Sequence, residues 1–233
     1  MSFLSLDHIP HKPLRNEIIR TSLRMNELGI NQGKAGNVSA RATPSPAVAG
    51  EGWDGGFLIT PTGIPYEETR PEQIVWMQMN GTHEGAVLPS SEWRFHRDIY
   101  ASGVDNVNAI IHTHSPYATT LACMDRGIPP FHYMVAAAGG SDIRCAPYAT
   151  FGTQELSDHV ITALRDRKAC LMSHHGLIAY GENLQKALAL AVEVETLARM
   201  YWQVLQIGEP ALLSEAEMRV VIDKFQTYGQ QSL

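Results

Sequence analysis

Asn108-Ala-Ile-Ile-His-Thr-His-Ser-Pro-Tyr117 sets the frame for the rest of the chain. Ala109, Ile110 and Ile111 form a short apolar run of the kind that fills a buried strand, and side chains two apart on a strand share a face. His112 and His114 therefore project together. Two imidazoles aimed at one point suit a zinc-type ion, which favours nitrogen ligands and accepts tetrahedral geometry. A His-x-His at a strand end can equally be a hydrogen-bonded pair near a surface. What the remaining chain brings to the same place decides between them.

Ala169-Cys-Leu-Met-Ser173 repeats the pattern, an apolar strand that ends by presenting His174-His-Gly176. Further strands are expected at Phe57–Thr60, at Ile74–Met79 before the hairpin signal Asn80-Gly81, and at Ile143–Pro147. Between them lie helical patterns. Leu14, Ile18, Leu23, Met25 and Leu28 line one face of a helix that Gly29 can end, and Ser115-Pro116 opens another through Met124. A turn at Phe151 enters a helix ending near Lys168. Asn183 begins a long helix to Ile207, with Glu195 an acid at the buried edge of its apolar face. Ser214-Glu-Ala-Glu217 has the capping-box order that starts a last helix to Phe225.

A chain of 233 residues can bury about 70–75% of its extended surface in one core, so one domain over residues 1–233 is expected. Residues 1–12 read as an extended arm, and 42–56, rich in Pro and Gly, as a surface loop between two strands. The formal charge of −6 comes without a block of like charges, which gives no electrostatic case for nucleic acid or an anionic membrane. No stretch reaches transmembrane length and the N-terminus lacks a signal-peptide pattern. Cys123, Cys145 and Cys170 are odd in number and far apart, and read as reduced thiols of a cytoplasmic protein.

Two glycine-bearing loops expose amides. Asn31-Gln-Gly-Lys-Ala-Gly-Asn-Val-Ser39 can turn tightly enough to hold a phosphate or can simply connect two elements, and Thr60-Pro-Thr-Gly-Ile-Pro65 presents Thr62 and the Gly63 amide. Ser90-Ser-Glu92 stands where a helix through Tyr100 begins. The serines can cap it or, with its free amides, bind an anion. Glu92 can complement the helix dipole, bind a metal or act as a base, and spacing does not choose among these.

The order of motifs resembles the class II aldolase/adducin family from about Leu14 to Tyr228. It is carried by Asn31–Ser39, Ile59-Thr-Pro-Thr-Gly-Ile-Pro-Tyr-Glu67, Leu88-Pro-Ser-Ser-Glu-Trp-Arg-Phe-His96, and His112-x-His114. Ile128-Pro-x-x-His-Tyr-Met134, Cys145-Ala-Pro-Tyr-Ala-Thr-Phe-Gly-Thr153, His174-His-Gly-Leu-Ile-Ala179 and Lys224-Phe-x-Thr-Tyr-Gly229 extend it. The resemblance implies an α/β fold of α+β type, a mainly antiparallel central sheet flanked by helices. It also implies a cyclic homotetramer with active sites at subunit boundaries.

Carried over residue by residue, the resemblance makes His112, His114 and His175 ligands of Zn2+, or of another divalent transition metal, and His174 a neighbour. Glu92 touches the metal in the empty site and acts as acid/base with substrate. Asn37, Thr62, Gly63, Ser90 and Ser91 hold a phosphate. Tyr133, reaching into a neighbour's site, is the catalytic tyrosine, and Phe151 and Tyr228 shape the aldehyde end. The implied reaction cleaves L-fuculose 1-phosphate, or a close deoxyketose 1-phosphate, to dihydroxyacetone phosphate and an aldehyde such as L-lactaldehyde.

Two departures from the family pattern are Lys34, beside the phosphate loop, and the length of the 42–55 excursion. Lys34 can add a phosphate contact or point to solvent. Three other chemistries share the fold. An L-ribulose-5-phosphate 4-epimerase resembles Ser-Ser-Asp where this chain has Ser-Ser-Glu92, a methylthioribulose-1-phosphate dehydratase would eliminate water, and an adducin-like interaction module lacks the three histidines.

Overall fold

A computed structural model describes residues 9–42 and 55–225. Seven strands form one sheet: β1 (Asn37–Ala42), β2 (Gly56–Ile59), β3 (Val75–Gln78), β4 (Ala109–Thr113), β5 (Cys145–Ala146), β6 (Ala169–Met172) and β7 (Gly176–Gly181). Their order is β3-β2-β1-β4-β7-β6-β5, and all neighbours run antiparallel except β5 beside β6. The expected antiparallel sheet is therefore present, with one parallel pair at an edge.

β4 lies at the centre of the sheet, between β1 and β7, and every residue of it is buried. Its side chains alternate between two cores. Ala109 and Ile111 join the core beneath α1 (Lys12–Glu27), α3 (Pro116–Ala122), α5 (Leu184–Ile207) and α6 (Glu215–Phe225). Ile110 turns to the opposite core, packed by α2 (Trp93–Ala101) and α4 (Gln154–Ala163). Each fully buried isoleucine is worth about 1.5–3 kcal/mol, so a one-residue slip that exchanged the two faces would be costly.

Local signals explain most boundaries. Asn183 caps α5 by accepting the Lys186 amide at 2.8 Å, and Ser214 and Glu217 cap α6 reciprocally. α1 starts at Lys12, two residues before the expected Leu14, with Pro13 in its first turn. Helix α4 ends at Ala163 and not near Lys168, because Asp166 adopts a left-handed φ of 58° that a right-handed helix cannot include. Neither serine before α2 caps it: Glu92 is the N-cap residue, without a side-chain cap bond, and the Ser90 hydroxyl accepts the Glu92 amide at 3.3 Å.

Strand β7 was not anticipated. The Asn80-Gly81 turn does form, with Gly81 at φ 90°, but it closes on a single Met77–His83 bridge. Most of the N-terminal arm, the greater part of the 42–56 loop and Tyr228 lie outside the described residues. Among the described residues no helix is long and apolar enough to cross a membrane.

Candidate metal centre

Four side chains from three parts of the fold converge. His112 comes from β4, His114 from one step beyond its end, His175 from the turn joining β6 to β7, and Glu92 from the start of α2. The register pairs Thr113 with Leu177, which sets the turn before β7 beside the end of β4. A Cβ on Gly176 would overlap the Thr113 carbonyl oxygen, so only glycine permits this approach. His174 absorbs the reversal with a left-handed φ of 53°.

One donor atom from each of the four lies within 4.8 Å of the others. The three imidazoles pack edge to face, with centroids 4.8–5.0 Å apart, and His114 Nε2 is 3.0 Å from His112 Nε2. His112 is fully buried, and its Nδ1 lies 2.8 Å from the Leu177 carbonyl oxygen. A carbonyl only accepts, so Nδ1 carries the proton and the Nε2 lone pair faces the cluster. Burial first, and then the close approach of His112 and His175, push His114 down to about 3, which keeps its ring neutral.

Glu92 is 6% exposed. Burial alone would raise its carboxyl, but the His112 and His175 imidazoles beside it outweigh burial and hold it below the ordinary carboxylate range. Its Oε2 is 3.3 Å from His112 Nε2, and its Oε1 is 2.9 Å from His175 Nε2, close but misaligned for a hydrogen bond. Three imidazole nitrogens around a buried carboxylate form a donor set that a divalent transition metal fits, and a cation would balance the buried negative charge.

Behind the cluster runs a chain of polar side chains. The Asn37 amide donates to Glu92 Oε2 at 2.9 Å, its Oδ1 meets His96 Nε2, His96 Nδ1 meets Ser39 Oγ at 2.7 Å, and Ser39 Oγ meets Tyr100 OH at 2.9 Å. All five residues are buried. Sequence reasoning missed His96, Ser39 and Tyr100, although the signal was there. Glu92, His96 and Tyr100 are four apart along the start and body of one helix, and Asn37 and Ser39 are two apart on one strand.

In front, a cavity of about 540 Å³ opens to solvent, lined by Ser91, Glu92, His114, Phe151, His174 and His175, with Ala35, Thr119, Tyr148 and Ala149 completing the wall. Ser91 and Phe151 thus share one cavity with the metal cluster. Asn37 and Ser90 are buried behind it. The Thr62 amide donates to Leu88 O at 3.1 Å, and Lys34 Nζ donates to Gly63 O at 2.7 Å, so Lys34 ties the two glycine-bearing loops together. Tyr133, on a 3-10 helix over Tyr133–Ala138, is half exposed and does not line this cavity. Thr119 and Tyr148 are wall residues to which the sequence reading gave no role, although Tyr148 lies within the Cys145–Thr153 motif.

The family described as Class II Aldolase and Adducin N-terminal domain matches residues 16–202. An L-fuculose phosphate aldolase of Escherichia coli (strain K12) is 53% identical over 217 residues, which cover 93% of this chain and 95% of that protein. A 5-methylthioribulose-1-phosphate/5-deoxyribulose-1-phosphate aldolase of Rhodospirillum rubrum is 50% identical over 219 residues, 94% of each chain. A solved structure of an L-fuculose 1-phosphate aldolase, 37% identical, superposes with a TM-score of 0.84 and covers 94% of this chain and 99% of that one.

Proposed function

The chain belongs to the class II aldolase and adducin family and is a metal-dependent aldolase performing retro-aldol chemistry, and from that premise we propose that it cleaves L-fuculose 1-phosphate, or a close deoxyketose 1-phosphate, to dihydroxyacetone phosphate and an aldehyde. The observation that carries the reading is the convergence of His112, His114, His175 and Glu92, the last three lining an open cavity. An adducin-like binding module has no use for such a cluster. We take the ion to be zinc, held by the three histidines and, before substrate arrives, by Glu92.

A bound ion would supply a Lewis acid for the negative charge that develops as the C3–C4 bond breaks. The remaining work belongs to side chains. Glu92, protonated from solvent through the open cavity once substrate is bound, delivers that proton to the carbon of the three-carbon fragment. Tyr133 of a neighbouring subunit accepts the C4 hydroxyl proton as the aldehyde leaves and passes its own phenolic proton to solvent, which balances the proton that Glu92 takes up. Its half-exposed place outside its own cavity supports that division of labour, and we take the assembly to be a cyclic homotetramer.

Thr62, the Gly63 amide, Ser90, Ser91 and Asn37 hold the phosphate, far enough from the broken bond to orient it. Asn37 gives one amide hydrogen to Glu92 and keeps a second for a phosphate, so it can hold both at once. Phe151 at the cavity wall, with Tyr228, shapes the aldehyde end. The whole chain serves as one such domain.

Relatives at 53% and 50% identity carry the names of aldolases for different ketose phosphates, so the acceptor end decides the substrate. The test is a comparison of kcat/KM for L-fuculose 1-phosphate, 5-methylthioribulose 1-phosphate and 5-deoxyribulose 1-phosphate on metal-loaded protein. Preference for the first supports the proposal. A tenfold preference for either of the others reassigns the substrate while keeping the chemistry, and water elimination without carbon–carbon cleavage overturns both.

A further inference from the structure

We infer that His96 is a positioning residue for the reaction: by donating from Nε2 to the Asn37 carbonyl, it holds that amide with its NH2 group turned to Glu92. The inference rests on the reading of Glu92 as the acid/base.

The direction of each hydrogen bond follows from what the groups can do. With Asn37 Nδ2 on Glu92 Oε2, the atom left for His96 is Asn37 Oδ1, which only accepts, so His96 carries its proton on Nε2. Burial pushes His96 down to about 3, so its ring is neutral and Nδ1 is an acceptor. Ser39 supplies the proton to Nδ1 at 2.7 Å, and Tyr100, 2.9 Å from Ser39 Oγ, supplies the serine oxygen in turn. Every donor in the chain thus points towards the carboxylate. Reversing the amide would set its oxygen against Glu92 and its NH2 against the Nε2 proton, two repulsions in a buried site. His96 therefore reinforces the amide orientation that the Glu92 carboxylate requires.

The consequence falls on Glu92. With Oε2 held by Asn37, Oε1 is the oxygen left facing His175 and free of any hydrogen bond, and it is the one placed to carry the proton. Glu92 reaches the substrate through that geometry, whereas His96 touches neither substrate nor metal ligand.

Two measurements test this. Nitrogen-15 NMR of the full-length protein should find His96 as the Nε2–H tautomer; an Nδ1–H tautomer would require the reversed amide and overturns the inference. In metal-loaded protein, His96→Phe should lower kcat about 10–100-fold, with KM changed less than about threefold and metal content unchanged. His96→Gln, whose NH2 can reach the same carbonyl, should recover most of the loss. A normal kcat in His96→Phe, or equal loss in both variants, overturns the positioning role. Absence of aldolase turnover in the unsubstituted protein would instead overturn the proposed function, and the tautomer would still decide the orientation of Asn37. If His96→Phe fails to fold, the tautomer and the His96→Gln kinetics decide.

Discussion

His112 Nδ1 lies 2.8 Å from the carbonyl oxygen of Leu177, a bond between adjacent strands that fixes which nitrogen of the ring faces the cluster. The sheet itself thereby prepares the central ligand, and the other members of the site are set around it by the end of β4, the β6–β7 turn and the start of α2. Loss of a ligand and loss of the acid should therefore have different signatures.

His114→Ala should lose bound metal and activity together, whereas Glu92→Gln should keep most of its metal and lose turnover by about 100-fold or more. Metal per chain by elemental analysis, alongside the retro-aldol rate, separates the two. Stoichiometric metal and a normal rate in His114→Ala would refute its place in the ligand set.

Glu195 on α5 caps α3 from outside, its carboxylate accepting the amides of Tyr117 at 2.9 Å and Ala118 at 2.8 Å. These amides follow His114 by only a few residues, so a core contact steadies the end of the metal strand. Replacement by Ala leaves two buried donors unmet, and Glu195→Ala should cost about 2–4 kcal/mol in chemical denaturation. Unchanged stability would mean that water meets those amides equally well.

Asp98 joins α2 to α4: Oδ2 accepts Gln154 Nε2 and Ser157 Oγ, each at 2.6 Å, and Oδ1 accepts Arg97 Nε at 2.7 Å. Burial would raise its carboxyl, but the bonds from Arg97, Ser157 and Gln154 win and lower it. A group whose folded pKa is depressed contributes stability above its unfolded pKa and loses it as pH falls through the folded value. Asp98→Asn should cost about 1–2 kcal/mol at pH 7, with the difference shrinking below about pH 4. Denaturation midpoints at both pH values measure it, and a gap that widened in acid would contradict the assignment.

Gly176→Ala should destabilise the fold by about 1–3 kcal/mol and weaken metal binding, since the added methyl meets backbone at Thr113 as well as the His114 ring. Calorimetry with and without added metal tests whether the two losses go together.

Much of this was legible in the sequence because it was local. His112 and His114 share a strand face, the His174-His175 motif ends an apolar strand, and Glu92 stands at a helix start, so each was visible within a few residues. Family resemblance then brought the four together, which spacing alone does not do. β7 was hidden because Gly176, the residue that would mark a turn, is already the first residue of the strand and pairs with Met172. The turn is made by a histidine, His174, in a left-handed conformation that residue type does not announce. The overrun of α4 has the same origin at Asp166. The polar chain through His96 was out of reach for another reason: it needs two periodicities read against each other across 55 or more positions.

The central claim is metal-dependent carbon–carbon cleavage by the cluster of His112, His114, His175 and Glu92. Its most direct measurement couples release of dihydroxyacetone phosphate from L-fuculose 1-phosphate to NADH oxidation, before chelation, after it, and after zinc is returned. The account predicts activity that is lost with the metal and restored with zinc. Turnover that survives complete removal of metal, or no release of dihydroxyacetone phosphate from this or the related deoxyketose phosphates by well-folded, zinc-loaded protein, would contradict it.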